Sequence, residues 1–407
     1  MKKLLIICLV AFTGLCVGSF IAKAAAQEKE AELAITKALK MDSSITTPPT
    51  TFSFKFEPIS LDGDENAEMP VITEKTVAFS ESDNGSTDSD GVKTCYKEIT
   101  NVLSGVNWKR AGMYVYELTE VKSVKETLPA DGEISYSPAK YKIIIYVANG
   151  STKPYVAVVS AEVIETDGEA KPGDKVDGKP GGANGERSDL IFTNVYSQTS
   201  ASNNPRDYSL AVSKTVKSDG EHDYANRELY FEFQITVTKS QLNNNANQKY
   251  RAYVMDLDNN VVTSQENGAF LTDPEYGGYI EFETGAPVSV KLKHGQWLSF
   301  VGLEAGASYK ITESGTPKFT PNLIQTVKGE KQPETSGKQG ESLSALETKI
   351  TVGEDRADFT NIFSLITVVG VRLDRLPFAI IGLLALGCIV WFALAKKRKE
   401  EDEEDEK

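Results

Sequence analysis

Two short segments, Asp189-Leu190-Ile191-Phe192-Thr193-Asn194 and Arg356-Ala357-Asp358-Phe359-Thr360-Asn361, end in the same Phe-Thr-Asn and lie late in the two halves of the chain. Two other matched segments precede each of them, in the same order. The first pair is Leu33-Ala34-Ile35-Thr36-Lys37 and Leu210-Ala211-Val212-Ser213-Lys214. The second is Tyr116-Glu117-Leu118-Thr119-Glu120 and Tyr309-Lys310-Ile311-Thr312-Glu313. An ordered triple that occurs twice predicts two domains built on one plan.

All six segments read as strands, in which side chains at i, i+2 and i+4 share a face. Leu33, Ile35 and Lys37 then point one way, as do Leu210, Val212 and Lys214. Tyr116 and Leu118 share a face with Glu120, Tyr309 and Ile311 with Glu313, Phe192 with Asn194, and Phe359 with Asn361. Each strand therefore carries one polar group on its apolar face. Such groups are costly to bury unless they meet one another. The spacing predicts two buried clusters, Lys37–Glu120–Asn194 and Lys214–Glu313–Asn361.

Those residue types can react. Desolvation lowers a lysine pKa and raises a glutamate pKa, giving a neutral, nucleophilic amine beside a protonated acid. Glu120 and Glu313 are the expected catalytic groups, protonating the asparagine carbonyl and passing a proton to departing ammonia. Folding supplies the proximity. The product is an isopeptide bond joining Lys37 to Asn194 and Lys214 to Asn361. A buried ion pair beside a hydrogen-bonded amide would satisfy a single triple equally well. The ordered recurrence favours the bond.

Between the segments, period-2 alternation dominates, as at residues 51–57, 141–147, 155–163, 229–237 and 288–292. Gly, Pro, Asn and Asp punctuate these runs. The expected fold is all-β: two tandem sandwiches over residues 27–199 and 207–364, joined by a polar linker at 200–206. Residues 171–186 and 328–344 are polar and read as long solvated loops.

The ends set a topology. Met1-Lys2-Lys3, the apolar run that follows and Ala22-Lys23-Ala24-Ala25-Ala26 form a signal peptide over 1–26. Residues 376–395 are apolar, uncharged and long enough for a transmembrane helix. A juxtamembrane segment, 365–375, precedes them. The basic cluster Lys396-Lys397-Arg398-Lys399 opens a charged cytoplasmic tail, 396–407. The body would thus lie at the cell surface, anchored to the membrane by its C terminus. A net charge of −14 argues against nucleic acid as a partner. Between the apolar ends Cys95 stands alone, so no disulfide can staple the body; it reads as a half-buried small residue.

Other chemistry is poorly served. Asp62-Gly63-Asp64-Glu65-Asn66 and Asp256-Leu257-Asp258-Asn259-Asn260 begin like calcium loops but lack the sixth-position glycine and twelfth-position acid, and so read as solvated turns. His222 and His294 have no partners at metal spacing and read as surface residues. Trp108 and Trp297 read as core or rim aromatics. No phosphate loop or hydrolase nucleophile motif occurs. No metal, cofactor or enzymatic activity is expected.

With these motifs the chain resembles the streptococcal pilin isopeptide-linkage family, the major-pilin type of Gram-positive bacteria. Residues 34–37 and 52–58 resemble the opening of that family's first domain, and residues 116–120 and 191–194 its later elements. Residues 210–214, 309–313 and 358–361 resemble the second domain. The resemblance implies immunoglobulin-like folds of the collagen-adhesin B type, autocatalytic Lys–Asn bonds, and sortase and other pilin subunits as partners. Two features depart from it. The place of the Leu-Pro-x-Thr-Gly signal holds Ile366-Thr367-Val368-Val369-Gly370, with valine where sortase forms its thioester. The place of the subunit-linking lysine holds Arg187, with Lys171, Lys175 and Lys179 in the preceding loop. Sorting and polymerisation therefore stay open. The alternative is a membrane-anchored monomeric adhesin for a host or matrix ligand.

Overall fold

The structure, a computed structural model, describes residues 30–122, 128–183, 185–200, 202–220, 223–364, 383–386 and 388–394. The expected signal peptide, juxtamembrane segment and cytoplasmic tail lie outside the described residues, as does His222. Of the expected transmembrane segment, 383–386 and 388–394 are described and helical. No helix among the described residues is long and apolar enough to cross a membrane.

The body is built from strands. The first half contributes β1 (Ile35–Asp42), β2 (Thr50–Leu61), β3 (Lys75–Phe79), β4 (Ser86–Thr87), β5 (Val92–Ile99) and β6 (Gly112–Val121). It continues with β7 (Gly132–Ser135), β8 (Lys140–Asn149), β9 (Pro154–Glu165), β10 (Lys175–Val176) and β11 (Ile191–Gln198). The second half contains β12 (Leu210–Ser218), β13 (Phe231–Thr238), β14 (Lys249–Met255), β15 (Leu271–Asp273), β16 (Gly277–Glu283), β17 (Pro287–Leu292) and β18 (Trp297–Val301). After β19 (Ser308–Glu313) and β20 (Phe319–Val327) come four two-residue strands, β21 (Glu330–Lys331), β22 (Thr335–Ser336), β23 (Leu343–Ser344) and β24 (Thr348–Lys349). The last strand is β25 (Arg356–Phe363).

In each half two sheets enclose one core. The first pair has orders β4-β5-β1-β11-β7 and β10-β9-β8-β6-β2-β3. The second has orders β15-β16-β14-β18-β12-β25-β20-β21 and β17-β13-β19-β23. Alternation along β6, β8, β11, β13 and β19 sends Tyr116, Ile143, Phe192, Phe233 and Ile311 inward, where they are buried. Aromatic contacts tie the facing sheets together: Phe54 meets Phe192 with ring centroids 4.9 Å apart, and Phe233 meets Phe359 at 5.2 Å.

Most strand pairs are antiparallel, but the first and last strands of each half run parallel and adjacent. In β1 and β11, Lys37 lies opposite Phe192 and Leu39 opposite Asn194. In β12 and β25, Lys214 lies opposite Phe359 and Val216 opposite Asn361. The offset is the same in both. It places each lysine diagonal to an asparagine on the inward face.

Simple alternation fails at β1, where Ala34 and Thr36 are as buried as Leu33, Ile35 and Lys37. The loop before β11 covers the outer face there: Ala34 N donates to Gly178 O at 2.8 Å and Thr36 Oγ1 to Ser188 O at 2.7 Å. The two expected solvated loops are also more ordered than their composition implies. β10 pairs with β9, β21 and β22 pair with β20, and β23 pairs with β19. Edge pairing satisfies backbone groups there without needing an apolar side chain, so hydropathy gives no sign of it.

The expected linker is held at Ser200 and Pro205, while Ser202, Asn203, Asn204 and Arg206 are exposed. Ser200 N donates to Leu303 O, Ala305 N to Gln198 O, and Ser299 Oγ to the carbonyl of buried Pro205. Ala305 joins the first core, and Lys349 Nζ donates to Asp90 O across the two halves.

Candidate functional site

The structure brings together all six residues that the strand pattern singled out. Lys37 and Asn194 are completely buried, and Lys214, Glu313 and Asn361 are each 1% exposed. Glu120 reaches its cluster from β6, across the sandwich from β1 and β11. Lys37 Nζ lies 2.8 Å from Glu120 Oε1, and Asn194 Nδ2 donates to the same oxygen at 2.9 Å. In the second half Lys214 Nζ donates to Glu313 Oε1 at 2.5 Å, and Asn361 Nδ2 donates to it at 2.7 Å. One carboxylate oxygen thus gathers amine and amide in each cluster. The other, Glu120 Oε2 or Glu313 Oε2, is buried with no hydrogen-bond partner among the described residues.

Aromatic rings complete the walls. Lys37 Nζ sits 4.6 Å from the centroid of the Phe52 ring. Lys214 Nζ sits 4.2 Å from that of Phe231 and 5.9 Å from that of Phe233. The rings keep water away and tolerate either protonation state of the amine.

Burial acts on both partners. Desolvation pulls Lys37 and Lys214 down to about 8, although each neighbouring carboxylate works the other way. Desolvation likewise pushes Glu120 and Glu313 above the usual carboxylate range, against the pull of their lysines. Both shifts favour a neutral amine beside a neutral acid, in which the proton sits on glutamate and the lysine lone pair is free.

Of the two tasks expected of the glutamate, at the asparagine carbonyl and at the departing nitrogen, the observed contacts serve the second: in both clusters the carboxyl faces the amide nitrogen. The carboxyl of Glu120 or Glu313 is therefore aimed at the group that would leave. At the carbonyl oxygen the clusters differ. Asn194 Oδ1 accepts a 2.7 Å bond from the backbone N–H of Ser137. Asn361 Oδ1 is buried with no partner among the described residues.

Ser137 and Asp167 were not foreseen. Asp167 Oδ2 accepts from Ser137 Oγ and, at 2.6 Å, from Thr193 N, clasping the 136–139 segment to β11 beside Asn194. Tyr136-Ser137-Pro138 and Thr166-Asp167-Gly168 look like ordinary turn residues, and no repeat marks them.

The remaining candidates have structural roles. Asp62 Oδ1 accepts from Met113 N at 2.8 Å, and Asp256 Oδ1 from Asn260 N at 2.9 Å, so both acids brace turns. His294 is partly buried rather than at the surface, with Nδ1 accepting from Val216 N at 3.1 Å, because the turn before β18 folds over β12. Cys95 is buried, not half-buried, with Sγ 3.6 Å from Thr47 Oγ1. Trp108 is in the core of the first half, and Trp297 packs half-buried against a small separate cluster of Tyr253, Met255 and Val301. Arg187 stacks on Tyr96, its guanidinium carbon 4.0 Å from the ring centroid, while Lys171, Lys175 and Lys179 are exposed. No group of three or more His, Cys, Asp and Glu among the described residues could hold a metal ion.

A family model described as a domain of unknown function (DUF7601) matches residues 208–362, the second of the two halves. No curated protein matches the chain. Among solved structures, the chain is similar to the major pilin from Streptococcus pyogenes at 21% identity and a TM-score of 0.32, covering 82% of this chain and 99% of that one. It is similar to the major pilin protein T3.2 from Streptococcus pyogenes serotype GAS13637 at 19% identity and a TM-score of 0.32, covering 84% and 100%. It is also similar to a Mobiluncus mulieris adhesin containing intramolecular disulfide, isopeptide and ester bond cross-links, at 13% identity and a TM-score of 0.24, covering 83% and 100%. At scores this low none of them decides what this chain does, and the functional reading rests on the geometry of the two clusters.

Proposed function

We propose that this chain is a structural protein of the bacterial cell surface, a pilin-like stalk of two collagen-adhesin B-type sandwiches, each closed by an autocatalytic Lys–Asn isopeptide bond. The observation that supports it is the pair of buried Lys–Glu–Asn clusters, each spanning the first and last strands of its half. In the reaction the neutral lysine amine attacks Cγ of the asparagine, and the carbonyl π electrons move to Oδ1. As the tetrahedral centre collapses, the C–Nδ2 bond breaks. Glutamic acid supplies the proton that lets nitrogen leave as ammonia and regains one from the attacking amine. One C–N bond replaces another, with no oxidant or cofactor.

The mechanical consequence follows from topology. The first and last strands are parallel neighbours, so tension between a domain's termini loads them in shear. A bond between them carries that load covalently. Each bond closes a loop of about 150 residues and would stabilise its domain by about 5 kcal/mol, at the upper end of the loop-entropy account. For an exported chain with no disulfide in its body, that supplies resistance to unfolding and proteolysis.

The test is the intact mass of the ectodomain, which should fall short of the sequence mass by two ammonia molecules. A full mass would overturn the reading. Sortase, other pilin subunits and membrane anchoring by residues 376–395 belong to the same proposal. A ladder on denaturing gels of cell-wall extracts would support assembly. A single band released only by detergent, with binding of the ectodomain to matrix proteins or glycans, would favour the adhesin.

A further inference from the structure

We infer that the backbone N–H of Ser137 is an oxyanion donor for the Lys37–Asn194 reaction, and that Asp167 is the positioning residue that holds it there. The inference rests on the isopeptide reading above and deepens it for one of the two sites.

When Lys37 attacks, negative charge develops on Asn194 Oδ1. The Ser137 N–H already points at that oxygen from 2.7 Å, inside a cluster closed to water. A fixed backbone dipole aimed at a developing charge in a dry site needs no rearrangement during the reaction. It also settles which way the Asn194 amide faces. With Oδ1 held by Ser137, Nδ2 must face Glu120, as observed at 2.9 Å. The work is divided: Ser137 stabilises the oxygen and Glu120 serves the leaving nitrogen.

The donor is held in place by a clasp. β7 pairs with β11 only from Val195 to Gln198, so the edge of β11 beside Asn194 is left open. Asp167 fills that opening, accepting from Ser137 Oγ and from Thr193 N on the residue before Asn194. Ser137 Oγ in turn accepts from Ala139 N at 3.1 Å, fixing the turn. The second half has no such opening. β25 is paired along its whole length with β12 on one side and β20 on the other. Among the described residues no N–H reaches Asn361 Oδ1 there, and the Glu313 carboxyl contacts the amide nitrogen alone.

The experiment follows ammonia loss at each site after ectodomain that has never folded, kept in denaturant from synthesis onward and shown by intact mass to hold both ammonias, is diluted into native buffer. Intact mass gives the rate and peptide mapping assigns each bond. Ser137→Pro, which deletes the N–H, should slow the Lys37–Asn194 bond by about a hundredfold and leave Lys214–Asn361 at its normal rate. Ser137→Ala keeps the N–H but loses the hydroxyl that Asp167 holds, so it should slow the bond about as much as Asp167→Ala and far less than Ser137→Pro. Asp167→Ala, which removes the clasp without touching the reacting atoms, should lower the maximal rate at this site alone. Asp167→Asn, which keeps an acceptor, should restore it. Ser137→Pro at the wild-type rate, Ser137→Ala as slow as Ser137→Pro, or Asp167→Asn as slow as Asp167→Ala would each overturn the assignment. If Ser137→Pro fails to fold, the Asp167 pair still decides. Failure of the isopeptide reading looks different: the wild-type chain would keep both ammonias indefinitely.

Discussion

The two Lys–Glu–Asn clusters share residue types, a register offset, aromatic walls and the same carboxylate contacts, yet they differ at the asparagine oxygen. In the first half the last strand is flanked by a long neighbour and a four-residue one, and the gap admits a loop carrying Ser137. In the second half two long ladders flank it, and Asn361 Oδ1 has no partner among the described residues. Three residues are enough to assemble each buried cluster. How well the cluster is tuned depends on the length of a neighbouring strand.

The largest effect should come from the shared part. Glu120→Ala and Glu313→Ala should each leave one ammonia in the protein, with the other bond intact. Each loses the covalent closure, about 5 kcal/mol, and leaves a buried lysine without its partner. Intact mass and thermal unfolding would check this. Loss of both bonds in either variant would mean that the clusters are not independent.

A smaller effect should separate the clusters. Asn194→Ala and Asn361→Ala both abolish a bond. Asn194→Ala also strands the Ser137 N–H in the core, a cost of about 1–3 kcal/mol. Asn361→Ala removes an oxygen that has no partner among the described residues. Measured against the glutamate variant of the same half, Asn194→Ala should therefore be the more damaging. Denaturant titration of the two unfolding transitions gives the comparison, and equal costs would remove the energetic distinction between the sites.

Much of this was legible in the sequence for a definite reason. Alternation fixes which side chains share a face, and six polar groups on apolar faces must find partners, so the clusters could be named from spacing alone. The all-β architecture followed from the same periodicity. Which of the two amide atoms the carboxyl touches could not be read, because it depends on the depth of the sandwich and the turn of one amide. Ser137 acts through its backbone, which carries no residue-specific signal. Asp167 acts from the loop after β9, which reaches the edge of β11 that β7 leaves unpaired. The burial of Thr36 and the packing of the linker come from loops folding back over strands, which periodicity does not register.

The smallest effect concerns pH. The reactive pair holds a single proton, carried by glutamate while lysine is neutral. At low pH both groups are protonated, and the reaction slows as pH falls through the glutamate range, which burial has moved upward. At high pH the pair loses its last proton. Lysine is then neutral but the leaving nitrogen has no acid, so the rate falls above pH about 8 in both clusters. The decline should approach about tenfold per pH unit, as for loss of one required proton. The Asp167 carboxylate near Lys37 favours the ammonium form and has no counterpart at Lys214. Asp167→Asn should therefore move the basic limb of the first site to lower pH while leaving its maximal rate and the second site's profile unchanged. Stopped-time mass spectra across the alkaline range would resolve the shift, and a parallel shift at Lys214–Asn361 would show that Asp167 acts on the whole chain rather than on its own cluster.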